Sequence, residues 1–126
     1  MEKYLTTFYA HNSPLAQPIP PEGIAEYART YSMPAQLTPG FGLYRTLPDD
    51  EAFNAGLEAP IDAPVLLLAQ GAFPGSFEVE SGCLDGLLAA PPQGGAINGS
   101  GHWLLEEAYA EVEARILPFI SPASSS

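Results

Sequence analysis

Positive charge is scarce in this chain. Four Lys and Arg stand against fifteen Asp and Glu in 126 residues, a formal charge of −11. Nucleic-acid binding depends on cationic contacts to phosphate, so no nucleic acid is expected as partner, and no anionic membrane surface. Cysteine is nearly absent too. Cys83 alone cannot form an internal disulfide or a Cys-based metal cluster, and within "SGCLDGLL" it reads as a small buried hydrophobe. The two histidines, His11 and His102, lie most of the chain apart, so no metal or cofactor site is expected. His11 reads as a surface histidine. Long apolar runs are missing as well. The longest, "APVLLLA" around Val65 to Ala69, is far too short to span a bilayer. The opening "MEKYLTTFYAHN" has no continuous apolar core and no small-residue cleavage site, so the chain reads as soluble and cytoplasmic.

What is present fits one small globular domain: 46% hydrophobic residues, with fourteen Pro and twelve Gly that divide the chain into short elements. "IPPEGIAEYARTYSM" predicts a helix opened by Pro20 and Pro21, where a missing N–H does no harm. Ile24, Tyr27, Ala28 and Tyr31 share one face of it, and Pro34 stops it. In "AQLTPGFGLYRTL", Leu37, Phe41 and Tyr44 recur at helical spacing, with Pro39 and Gly40 either starting a new helix or kinking this one. "DDEAFNAGL" offers Asp49 or Asp50 as an N-cap.

The pattern changes at Pro64. "PVLLLAQG" predicts a strand buried on both faces, as in parallel sheets covered by helices. "FEVESGCLDGLLAA" predicts a helix running to Ala90, and "GGAIN" a short second strand. "LLEEAYAEVEARILPFI" closes the chain as the best helix present. Leu105, Ala108, Val112, Ile116 and Phe119 form its apolar stripe. The final "SPASSS" reads as a frayed tail. A parallel sheet of two strands leaves unpaired edges and a bare apolar face, so another chain, or more of this one, is expected to complete it.

The segment "GSGHWLLEEAYAEVEARILPFI" resembles the end of an α/β-hydrolase, where a catalytic His follows the last strand and precedes the last helix. Its Gly-His-Trp and acidic pair are similar to the epoxide hydrolase and haloalkane dehalogenase branch. Upstream, "YARTYSMPAQLTPGFGLYRTLPDDEAFN" resembles the later helical cap of epoxide hydrolases, and "APVLLLAQGAFPG" the penultimate strand that follows the cap. Order and spacing agree from about Glu22 to Ile120. The resemblance implies an incomplete α/β-hydrolase fold. A helical cap segment over 1–60 precedes strand–helix–strand–helix of a parallel sheet over 61–121, with a disordered tail at 122–126. The family's oxyanion-hole segment and nucleophile elbow have no counterpart here.

His102 would then be the base that activates water against a covalent ester, since imidazole changes charge near neutral pH. Spacing alone favours a surface loop histidine. Trp103 reads as the packing residue that seats the loop. Tyr44, in "GLYR", matches the cap tyrosine that donates a hydrogen bond to the epoxide oxygen; otherwise it is a helix-face tyrosine packed in the cap. Arg45 reads as a structural partner of Asp49 or another carboxylate. Glu106 and Glu107 read as first-turn carboxylates favoured by the helix dipole. The family's acid has no match after Ala69: the loop runs Gln70 to Gly75 without a carboxylate until Glu78, and Glu78 and Glu80 read as a solvated face. Small apolar substrates are expected of the complete enzyme, and none is hydrolysed by this chain alone. The rival expectation is a non-catalytic remnant or interaction module, joined through its sheet edge to a partner chain or to its own copy.

Overall fold

The computed structural model describes residues 1–56 and 58–121; the side chains of Pro34, Leu37, Gly40 and Phe41 fall outside the description. The expected tail at 122–126 lies outside the described residues. Four helices come first: α1 (Glu2–His11), α2 (Pro21–Tyr31), α3 (Pro34–Arg45) and α4 (Leu47–Ala55). The chain then runs through β1 (Leu66–Gln70), α5 (Ser76–Gly82), β2 (Gln93–Ile97), α6 (Leu104–Glu107) and α7 (Tyr109–Ile120). The architecture is mixed helix and strand, with a small parallel sheet and seven helices among the described residues.

Proline sets the helix starts. Pro21 occupies the first turn of α2, and Pro34 does the same for α3. At both places the absent N–H has no intrahelical acceptor to lose. Ile24 and Ala28 of α2 are buried against Leu5 of α1 and Ile19 of the connecting loop, with Tyr9 and Tyr27 packed around them. Leu5, Ile19 and Ile24 contribute about 1.5–3 kcal/mol each on burial. α1 was not foreseen, yet it supplies Leu5 and Tyr9 to this small core. Its threonines serve the helix itself: Thr6 Oγ1 donates to the Glu2 carbonyl and Thr7 Oγ1 to that of Lys3, both at 3.0 Å.

Several local expectations are corrected. α3 runs through Pro39 rather than restarting there. The N-cap of α4 is Thr46, whose carbonyl accepts the N–H groups of Asp49 and Asp50, both at 2.9 Å. The two aspartates thus sit inside the first turn, where the helix dipole favours them. The helix after β1 stops at Gly82, since turns follow and Gly86 adopts φ 80°. The last helix breaks at Ala108, whose extended φ of −142° separates α6 from α7. Cys83 is exposed rather than a buried hydrophobe. Arg45 makes no ion pair among the described residues.

β1 and β2 pair in parallel, Leu66 with Gln93 through Gln70 with Ile97. Gly94, at φ 121°, admits the close approach: a Cβ there would lie 2.0 Å from the Leu67 carbonyl oxygen. An outlying parallel bridge joins Ile61 and Leu88. α5 and α7 both pack against the sheet. Ala69, Ile97 and Val112 are buried there, but Leu66, Leu67 and Leu68 are only half-buried. The strand expected to be covered on both faces is therefore partly open. Neither outer strand edge has a further strand beside it among the described residues.

Candidate active site

The site is built from the loop between β2 and α6. β2 ends at the fully buried Ile97, and Gly99 turns the chain at φ 76°. Ser100 is buried and donates its hydroxyl to the Ile97 carbonyl at 2.7 Å. Its own carbonyl accepts the Ala72 N–H at 2.8 Å, which ties this loop to the one after β1. Gly101 then passes so close to the 12–14 segment that a Cβ would sit 2.6 Å from the Asn12 carbonyl oxygen. Only glycine fits there.

The next amide, of His102, donates to the same Asn12 carbonyl at 2.8 Å. Trp103 anchors the other side. Its indole N–H donates to the Tyr9 carbonyl at 2.9 Å, and its ring meets Tyr9 edge-on at 4.6 Å and Phe8 at 5.4 Å. Edge-on aromatic pairs of this kind add roughly 0.5–1.5 kcal/mol beyond burial. Trp103 is the packing residue its sequence context suggested. The His102 ring stands perpendicular to it, 83° between planes and 4.8 Å between centroids. His102 is exposed, and no side-chain hydrogen bond fixes its imidazole among the described residues.

His102 and Trp103 line a cleft of about 290 Å³ together with α1, the end of α2 and the end of α3. α1 contributes Tyr4, Leu5, Phe8 and Tyr9; Tyr31 comes from α2; Leu43 and Tyr44 come from α3. The structure thus brings both sequence-selected residues, His102 and Tyr44, to one concavity. Tyr44 is 65% exposed, on a stretch where Leu43, Leu47 and Phe53 are exposed too. Met1 also lines the cleft, whose other residues are aromatic and aliphatic apart from the imidazole, and none is Asp, Glu, Lys or Arg. Phenols and an imidazole are the polar side-chain groups on its wall.

Tyr27 and Glu106 join α2 to α6. The Tyr27 hydroxyl donates to Glu106 Oε1, and that carboxylate pushes the phenol up to about 12. Burial, then Tyr31 and Glu106, raises Tyr9 as well. Both phenols remain neutral donors far above neutral pH. Glu106 and Glu107 therefore do more than balance a helix dipole: each reaches a partner outside its own helix. These attachments lie beside the break at Ala108.

The remaining candidates lie elsewhere. His11 is exposed at the end of α1. Glu78 is exposed and Glu80 half-buried on α5, and neither lines the cleft. Gln70, at the end of β1, has a buried Oε1 without a hydrogen-bond partner among the described residues. Among the described residues, no three His, Cys, Asp or Glu gather as a metal cluster. No helix there is long and apolar enough to cross a membrane. Sequence reading missed the α1 contribution. Tyr4, Leu5, Phe8 and Tyr9 carried a signal, two pairs four residues apart on one helical face.

Fold and cleft together define a helix-covered parallel strand pair with an imidazole at the end of its second strand. Among solved structures, the chain is similar to wild-type Cfl2 from Burkholderia cenocepacia, at TM-score 0.80 and 22% identity over 95% of this chain. The likeness is one of fold, and the chain spans 40% of that chain's length. No family model and no curated protein matches the sequence.

Proposed function

We propose that this chain supplies the general base and an epoxide-facing phenol of an epoxide hydrolase-like α/β-hydrolase, whose sheet and nucleophile are completed by further polypeptide. The observation that carries the reading is the meeting of His102 and Tyr44 in one apolar cleft. They belong to motifs far apart in sequence. The two open strand edges support the completed sheet, because parallel strands are ordinarily buried within larger ones.

In the complete site a carboxylate nucleophile attacks one epoxide carbon, and the C–O bond breaks as the ester forms. The alkoxide so released takes its proton from the Tyr44 phenol, a group neutral at physiological pH and rigid enough to aim. His102 then removes a proton from water as that water attacks the ester carbonyl. The tetrahedral intermediate collapses to diol and free carboxylate, and the proton held on the imidazolium restores the Tyr44 phenolate to phenol. Substrates are small and apolar, matching the aromatic walls.

A second reading has its own support. The cleft has no carboxylate to orient the imidazole, and the strand edges are free, as in a non-catalytic module that adds its strands to a partner. Co-expression with the polypeptide encoded immediately upstream separates the two. The isolated chain is expected to hydrolyse a panel of terminal epoxides no faster than its His102→Ala variant, whereas the complex turns them over. A complex that forms but stays inactive favours the binding module. His102-dependent turnover by the isolated chain contradicts the shared-site reading.

A further inference from the structure

We infer that Glu107 is the positioning residue for His102, holding the imidazole's backbone from both sides. The inference rests on the reading of His102 as the base, but its geometry stands by itself. Glu107 Oε2 accepts the Gly101 N–H at 2.7 Å, and Oε1 accepts the Trp103 N–H at 3.1 Å. Between them, the His102 N–H goes to Asn12 at 2.8 Å. Three successive amides around the base are thus fixed, two of them by one carboxylate.

A carboxylate near a helix start ordinarily caps its own first turn. Glu107 does so at Trp103, the N-cap residue of α6, and its second oxygen reaches further back, to the Gly101 amide. It also accepts a hydrogen bond from the Ser13 hydroxyl at 2.9 Å, 94 residues away. Ser13 is itself oriented, since its oxygen accepts the Leu15 N–H at 2.9 Å. Glu107 therefore joins the His102 loop to the very segment whose Asn12 carbonyl receives the His102 amide. Hydrogen bonds to an ionised acceptor are roughly twice as strong as neutral ones. With the backbone held, the ring's remaining freedom is its own side-chain torsions, limited on one side by the Trp103 indole. A base must keep its geometry within a fraction of an ångström to act on a bound ester.

The test uses the full 126-residue chain with Glu107→Ala, Glu107→Gln and Ser13→Ala. Backbone relaxation of residues 101–103 and the ring-current shift that Trp103 imposes on the His102 ring protons are read by NMR. In Glu107→Ala the order parameters are expected to fall from about 0.85 to below about 0.6, with the ring-current shift collapsing. Glu107→Gln and Ser13→Ala should lie between that variant and the parent. If Glu107→Ala fails to fold, the two milder variants decide: graded loosening supports the inference, and unchanged spectra overturn it. In the co-expressed complex, Glu107→Ala should lower kcat roughly tenfold with KM nearly unchanged. A loosened loop with undiminished kcat overturns the positioning role. An inactive parent complex sinks the hydrolase reading, and the NMR arm then judges Glu107 by itself.

Discussion

His102→Ala in the co-expressed complex is expected to lower steady-state epoxide hydrolysis about 10³-fold, or roughly 4 kcal/mol of barrier. The loss should fall on one step. In the proposed mechanism ester formation consumes no base, because the nucleophile is already a carboxylate and the alkoxide takes its proton from Tyr44. Ester hydrolysis does need the imidazole, since neutral water is a poor nucleophile. Rapid-quench kinetics should therefore show a burst near one equivalent of substrate consumed per site, followed by near-arrest. Equal loss of burst and steady-state rates would instead mark His102 as a structural element of the loop.

Gly101→Ala is expected to have a large effect on stability. Its new methyl would meet the Asn12 carbonyl oxygen and the Ser13 Cα at 2.6 Å, and the Pro14 Cδ at 2.8 Å. Two of those atoms are backbone, so no side-chain rotation relieves the clash. The loop must retreat, breaking the His102 amide bond to Asn12 and straining the Glu107–Ser13 link. A cost of about 3 kcal/mol is expected, lowering Tm by roughly 10 °C. Gly42→Ala is the matched control. That glycine lies inside α3 with open space around its Cβ position, so alanine should be neutral or gain up to about 1 kcal/mol. Thermal unfolding by circular dichroism reads both. Similar melting of Gly101→Ala and the parent would contradict the packing of this loop.

The sequence disclosed those parts whose causes are local. Pro20 and Pro21 announced α2, the spacing of Ile24 and Ala28 its buried face, and the Pro- and Gly-bounded apolar run β1. A weak "GGAIN" proved enough for β2, because glycine at 94 is what a close parallel neighbour requires. His102 and Tyr44 were selected through a resemblance, and only folding could bring α3 to the β2–α6 loop.

The failures share a cause. Ala108 breaks the last helix where acidic side chains find partners in distant segments, and no local pattern encodes a hydrogen bond between Glu107 and Ser13. Asp49 and Asp50 looked like caps because aspartate often is one, yet Pro48 allowed the helix to start earlier, behind Thr46. The helix after β1 ended at Gly82, where glycine's backbone cost outweighed a thin apolar pattern. α1 escaped notice although its aromatic residues form one wall of the cleft.

The shared action of Tyr44 and His102 on one substrate is tested most directly by comparing an epoxide with an ester of the same size in the co-expressed complex. Epoxide opening releases an alkoxide that needs the phenol's proton, whereas an ester's leaving oxygen is less demanding. Tyr44→Phe is therefore expected to lower epoxide turnover about 10²-fold while leaving ester turnover within a fewfold of the parent. Equal loss for both substrates, or none for the epoxide, would contradict the account.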